Sequence, residues 1–159
     1  METEELLGKC AVQKETGDDF VAWAETMLAK GCTNINVEIL AALGLEKPIN
    51  IFEAKSCFEN AKNELQIEIP CKEDCIMSYA KYLAKKIVNG KVAPADGVRT
   101  LFRLCSDAEY PKKLIIWYML DEDIDLLNYD ENPIFDPAMN KNNIDQIVID
   151  KAKHFIENV

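Results

Sequence analysis

The chain has 159 residues, of which 48% are hydrophobic and 29% charged, and its formal net charge is −10. This composition argues against a disordered chain, which has few large apolar residues, and against a nucleic-acid-binding protein, which needs Lys and Arg on phosphate. No apolar run approaches the roughly 18 residues that a membrane span requires, and METEELLGKC lacks the basic and apolar regions of a signal peptide. We therefore expect a cytoplasmic protein whose six cysteines are free thiols.

Apolar residues recur at helical spacing through the first half of the chain. This pattern predicts helices over about 2–13, 18–31 and 36–44, and a fourth helix that begins at Ile51. Asp18 is predicted to be either the N-terminal cap of the second helix or an acid in its first turn, and Asn50 could cap the fourth helix. Gly31 stands where a helix often ends in the left-handed conformation. The short stretch QIEI alternates, and it is compatible with a brief strand that Pro70 ends.

The second half has the same helical periodicity. Helices are predicted over 72–89, from about Pro94, from Pro111 and over 143–158, with Asn142 or Asn143 as the cap of the last one. Pro133 and Pro137 predict a loop over 128–140. The predicted fold class is all-α, a single compact domain of about seven or eight helices over residues 1–159, with a possible sub-boundary near 70–72.

No metal or cofactor site is predicted. Asp121, Asp123 and Asp125 imitate positions 1, 3 and 5 of a calcium loop, but Leu126 and Asn132 occupy the positions that need Gly and Glu. Cys71 and Cys75 could share a helix face, yet zinc would want two more ligands. Buried cysteines that behave as small hydrophobes are the better interpretation.

No catalytic residue is predicted either. His154 is the only histidine, so a Cys–His or Ser–His arrangement would have to use it, and no nucleophile turn or Gly-rich phosphate loop is present. Pairs of carboxylates are expected by chance among 28 acidic residues. The sequence therefore predicts a protein that is not an enzyme.

The most unusual stretch is DEDIDLLNYDENPIFDP (121–137), which has seven carboxylates and no Lys or Arg. Aromatic side chains among carboxylates are typical of an interface that combines apolar anchors with an electrostatic frame. Tyr129 and Phe135 could equally fold back onto the body of the protein. The carboxylates fit a surface that either stays hydrated or meets a basic partner.

Three further segments carry a resemblance to a known group of proteins. They are AKGCTNINVEILAALGLEKPINIFEAKSCFENAKNEL, SYAKYLAKKIVNGKVAPADGVRTLFRLC and DKAKHFIENV. In the order and style of these helix and turn signals, the chain resembles small, acidic, all-α bacterial proteins, several of which are immunity proteins of polymorphic or contact-dependent toxin systems. The IVNGKVAPADGV turn, with Gly90 and Pro94, is the most specific part of the resemblance.

The resemblance implies a protein that binds a cognate basic toxin domain, typically a nuclease, in the cytoplasm and blocks its active site or its nucleic-acid surface. The alternatives are a helical scaffold or adaptor with an unknown partner and an uncharacterised enzyme. Self-association stays open. The predicted partner-binding residues are Asp121, Glu122, Asp123, Asp125, Tyr129, Asp130, Glu131, Phe135 and Asp136.

Overall fold

The computed structural model describes all 159 residues, Met1–Val159. It has no strand, so QIEI is not extended in a sheet, and the all-α fold class is confirmed. None of the helices is both long enough and apolar enough to cross a membrane. The eight α-helices are α1 (Thr3–Ala11), α2 (Gly17–Ala29), α3 (Ile35–Ala42), α4 (Ile51–Glu64), α5 (Lys72–Val88), α6 (Pro94–Asp107), α7 (Ile115–Asn128) and α8 (Ile144–Asn158).

Contacts within the chain form two compact units, Met1–Ile76 and Met77–Val159. The division falls inside α5, and the possible sub-boundary near 70–72 stays a prediction. The single-domain organisation expected from the sequence stays a prediction.

An aromatic cluster forms the core of the unit Met1–Ile76. The ring centroids of Phe20 and Phe58 lie 5.4 Å apart, and those of Trp23 and Phe58 lie 4.9 Å apart in an edge-to-face arrangement. All three side chains are buried where α2 and α4 pack against each other. Burying each ring contributes about 2–3 kcal/mol to folding. The indole N–H of Trp23 donates to Thr3 Oγ1 at 3.1 Å, which links α1 to α2.

The N-terminus of α2 is fixed by a capping box. The Thr16 hydroxyl oxygen accepts from the backbone N–H of Asp19 at 3.2 Å, and the Asp19 carboxylate accepts from the backbone N–H of Thr16 at 2.9 Å. The cap is thus Thr16, and Asp18, which was predicted as either a cap or a first-turn acid, is an acid of the first turn. Asn50 caps α4 as predicted, since its Oδ1 accepts from the N–H of Phe52 at 3.0 Å.

In the unit Met77–Val159, α6 packs against α7 and α8. Trp117 of α7 lies edge-to-face on Phe155 of α8, with ring centroids 5.2 Å apart. Gly90 ends α5 in the left-handed region, with φ of 65°, and Pro94 opens α6 in its first turn. The approach of α6 to α5 needs Gly97, because a Cβ there would lie 2.7 Å from Ile87 Cδ1.

Candidate functional site

The acidic segment 121–137 has two parts with different structures. Residues 121–128 are the last two turns of α7, and residues 129–137 form the acidic loop that follows. The helix therefore ends at the start of the loop that was predicted over 128–140. Because side chains on a helix point in different directions, the nine predicted residues do not share one environment.

Asp121 and Asp125 lie one turn apart on α7 and share a single guanidinium on α6. Arg99 Nε donates to Asp121 Oδ1 at 2.8 Å, and Arg99 Nη2 donates to Asp125 Oδ1 at 2.5 Å. The Asp121 side chain is only 8% exposed, whereas that of Asp125 is 49% exposed. The hydrogen bond and charge of Asp121, together with the charge of Asp125, raise the pKa of Arg99. Asp121 thus joins α6 to α7, and Asp125 alone of this pair also offers a face to solvent.

Asp123 is fully buried and holds the acidic loop through its backbone. Its Oδ1 accepts from the N–H groups of Ile134 and Phe135 at 2.7 and 2.9 Å, and its Oδ2 accepts from the N–H of Asp136 at 2.7 Å. Charge-assisted hydrogen bonds of this kind are about twice as strong as neutral ones. The prediction that Asp121 and Asp123 present their carboxylates to a partner needs correction, because both are buried and already bonded within the fold.

The remaining predicted residues are more accessible. Tyr129 is 80% exposed, and Glu122, Asp130 and Glu131 are exposed around it. Phe135 is 42% exposed, and its ring centroid lies 6.2 Å from that of Tyr118, so only this one of the two aromatic rings folds partly back onto the protein. The loop thus presents carboxylates and apolar side chains together.

Two lysines lie against the acidic loop, and the sequence analysis did not anticipate them. Lys141 Nζ pairs with Asp130 Oδ1 at 2.5 Å, and Lys151 Nζ lies 3.6 Å from Asp136 Oδ2. The bond and charge of Lys141 lower the pKa of Asp130. Glu122 and Glu131 pair with no cation, so the segment keeps an excess of negative charge.

Ile134 is a further candidate contact residue that the sequence prediction omitted. It directly precedes Phe135, and its large apolar side chain is exposed. The available signal was its place between Pro133 and Pro137, where no helical stripe requires an isoleucine.

Metal ligands, a cavity and a histidine are the features that other chemistry at this site would use. No group of three or more His, Cys, Asp or Glu side chains could hold a metal ion. A cavity of about 60 Å³ next to Asp123 and Lys151 is far smaller than the sites that bind small molecules. His154 lies in α8, exposed, with its Nδ1 3.1 Å from Asn158 Nδ2.

The chain was also compared with known proteins. No family model, curated protein or solved structure matches it. The chain is therefore described by its architecture, as a small all-α protein of 159 residues.

Proposed function

We propose that this protein is an immunity protein that binds a basic toxin domain, of the nuclease class, in the cytoplasm and neutralises it. The observation that carries the proposal is the acidic loop. Its backbone is fixed by Asp123, while Tyr129, Ile134 and Phe135 remain exposed among carboxylates. A loop that is already ordered loses little conformational entropy when it binds.

The charges of the loop fit a cation-rich partner. Glu122 and Glu131 have no ion-pair partner in the chain, and Asp130 is 85% exposed although it pairs with Lys141. Carboxylates arranged in this way accelerate encounter with a positively charged surface and select against acidic partners. On a nuclease, they would occupy positions that otherwise receive phosphate groups.

The exposed apolar side chains supply the second element of an interface. Aromatic residues commonly carry a large share of binding free energy when they enter a pocket of the partner. Tyr129 is free to do so because the loop directs 80% of its surface to solvent. The carboxylates thus raise the rate of association and select a basic partner, whereas Tyr129, Ile134 and Phe135 supply the apolar contact.

The test uses the C-terminal domain of any secreted protein that is encoded immediately upstream of this chain. Co-expression of the chain should restore growth to cells that produce this domain. The triple variant Glu122→Lys, Asp130→Lys, Glu131→Lys should bind it at least 100-fold more weakly, equivalent to about 2.7 kcal/mol. Growth inhibition that the wild-type chain does not relieve would contradict the proposal.

A matched control separates local from overall charge. The variant Glu25→Lys, Glu46→Lys, Glu53→Lys changes the net charge by the same amount, and these three residues are exposed in the unit Met1–Ile76. Its affinity should stay within about tenfold of wild type, because the proposed contact uses the carboxylates of the acidic segment themselves, which this variant retains. Equal losses in the two triple variants would show that only net charge matters.

A helical adaptor is the second candidate, and a different set of exposed side chains favours it. Ile35, Ile39, Leu45 and Phe52 are large apolar residues that are exposed in the unit Met1–Ile76. In the toxin-domain binding assay, Phe52→Ala should have no effect, whereas Tyr129→Ala should cost at least about 1 kcal/mol. The absence of toxin-domain binding by the wild-type chain would favour the adaptor, and the reverse order of effects would assign the toxin contact to these side chains instead of the acidic loop.

A further inference from the structure

An open cavity of about 380 Å³ lies within the unit Met1–Ile76. Leu7, Phe20 and Phe58, which are buried in the core, form part of its wall, and Ile69 and Pro70 lie at its more exposed side. Its volume is in the range of sites that bind small molecules, and such sites are mostly apolar with a few polar groups that fix orientation. The cavity is separate from the acidic segment, all of which belongs to the unit Met77–Val159.

Two thiols in the wall add no charge to the cavity. Burial, with a smaller effect of the Glu15 carboxylate, raises the pKa of Cys10 to about 12. Burial also raises the pKa of Cys75, whose Sγ lies 3.5 Å from the carbonyl oxygen of Pro70. Both side chains therefore stay protonated at neutral pH and act as small apolar surfaces.

The charged side chains that line the cavity are Lys55, Glu59 and Lys72. Lys55 pairs with Glu15 at 3.2 Å, and Glu59 pairs with Lys62. Lys72 has no ion-pair partner, and neither Glu73 nor Asp74 beside it lines the cavity. An apolar cavity therefore opens beside one uncompensated ammonium group in a protein whose formal charge is −10.

We propose that this cavity binds a small amphipathic carboxylate, with its alkyl or aryl body against Phe20 and Phe58 and its carboxylate on the Lys72 ammonium. An amine of the same shape would place its charge near Lys72 and Lys55 and bind more weakly. A strongly polar ligand such as a nucleotide would lose hydration against walls that offer few hydrogen bonds.

The experiment follows backbone amide signals of the isolated ¹⁵N-labelled protein by NMR during titration with hexanoate, heptanoate and octanoate. The amides of Ala11, Phe58 and Ile69 should shift and saturate. Each added methylene group that enters the cavity should tighten binding about three- to four-fold. Octylamine should bind at least five-fold more weakly than octanoate.

Lys72→Gln should weaken octanoate binding at least five-fold and leave binding of 1-octanol unchanged, while Lys113→Gln, in the unit Met77–Val159, should change neither. Lys72 is exposed, so the variant should fold normally, and its far-UV circular dichroism checks this point.

The absence of saturable shifts at these amides would overturn the proposal. The proposal would also be overturned if wild type and Lys72→Gln bound octanoate and 1-octanol with equal affinity. The cavity would then bind the alkyl chain alone, with no contribution from the Lys72 ammonium group. The proposed function is unaffected by either result, because the titration contains no toxin.

Discussion

The carboxylate of Asp123 accepts a hydrogen bond at 2.9 Å from the backbone N–H of Phe135, which lies twelve residues further along the chain and beyond Pro133. Two more backbone N–H groups, those of Ile134 and Asp136, bind the same carboxylate. A buried acid thus organises the loop that presents the exposed acids. The sequence alone does not distinguish these carboxylates, whereas burial separates Asp121 and Asp123, which bond within the fold, from the acids that face solvent.

Replacement of Asp123 should destabilise the protein and loosen the acidic loop. Asp123→Ala leaves three backbone donors without their charged acceptor, and we expect a loss of about 2–4 kcal/mol in the free energy of unfolding by urea. Hydrogen exchange at Ile134, Phe135 and Asp136 should accelerate. The control is Glu122→Ala next to it, which is exposed and should change stability by less than about 0.5 kcal/mol. Similar losses in both variants would contradict this assignment.

The two carboxylates on Arg99 should differ in their contribution to stability. Asp121→Asn replaces a buried charge that accepts from the guanidinium, and we expect a cost of about 1–3 kcal/mol. Asp125→Asn removes a half-exposed partner of the same group and should cost less than about 1 kcal/mol. Urea unfolding of both variants at low and high salt measures the difference. A larger effect of Asp125 would mean that burial does not determine the strength of these bonds.

Lys141→Gln should raise the pKa of Asp130 toward its ordinary value, because the bond and charge of Lys141 lower it. A depressed pKa in the folded state means that the ion pair stabilises the fold above the ordinary carboxyl pKa, near 3.9. This contribution is lost as the pH falls through the lower folded pKa. An NMR titration of the Asp130 side chain in wild type and variant gives the two values directly, and identical values would refute the pairing.

Cys10 should make the protein less stable in alkaline solution. Its pKa is about 12 in the folded protein, compared with 9.0 ordinarily. Between these values the unfolded chain loses the thiol proton and the folded chain keeps it, so the free energy of unfolding falls as the pH rises. Cys10→Ala should reduce this fall between pH about 9 and 10.5, whereas Cys71→Ala, at an exposed site, serves as the control. Parallel curves for wild type and Cys10→Ala would exclude the effect.

The helices were predictable from the sequence because their signals are local. Apolar spacing located all of them, and Asn50, Gly31 and Pro94 marked helix ends that the structure confirms. At α2, Asp18 is an acid of the first turn, and the cap that the sequence analysis did not identify is Thr16, whose capping box with Asp19 spans Gly17.

The site was less predictable because its decisive contacts connect distant residues or involve the backbone. Helical spacing did contain one usable signal, since Asp123 lies on the same side of α7 as Leu120 and Leu127, which are buried. The contact of Arg99 with Asp121 joins two helices, and no local sequence pattern predicts it. The N–H groups that Asp123 binds exist in every residue except proline, so they carry no sequence signature.

Asp123 accepts hydrogen bonds from main-chain N–H groups, so the backbone conformation of the loop is largely independent of the side chains at positions 134 and 135. Substitutions there would alter what the loop displays while its curvature stays the same. Such a framework would allow the exposed side chains of the loop to be exchanged one at a time while the backbone that supports them is retained.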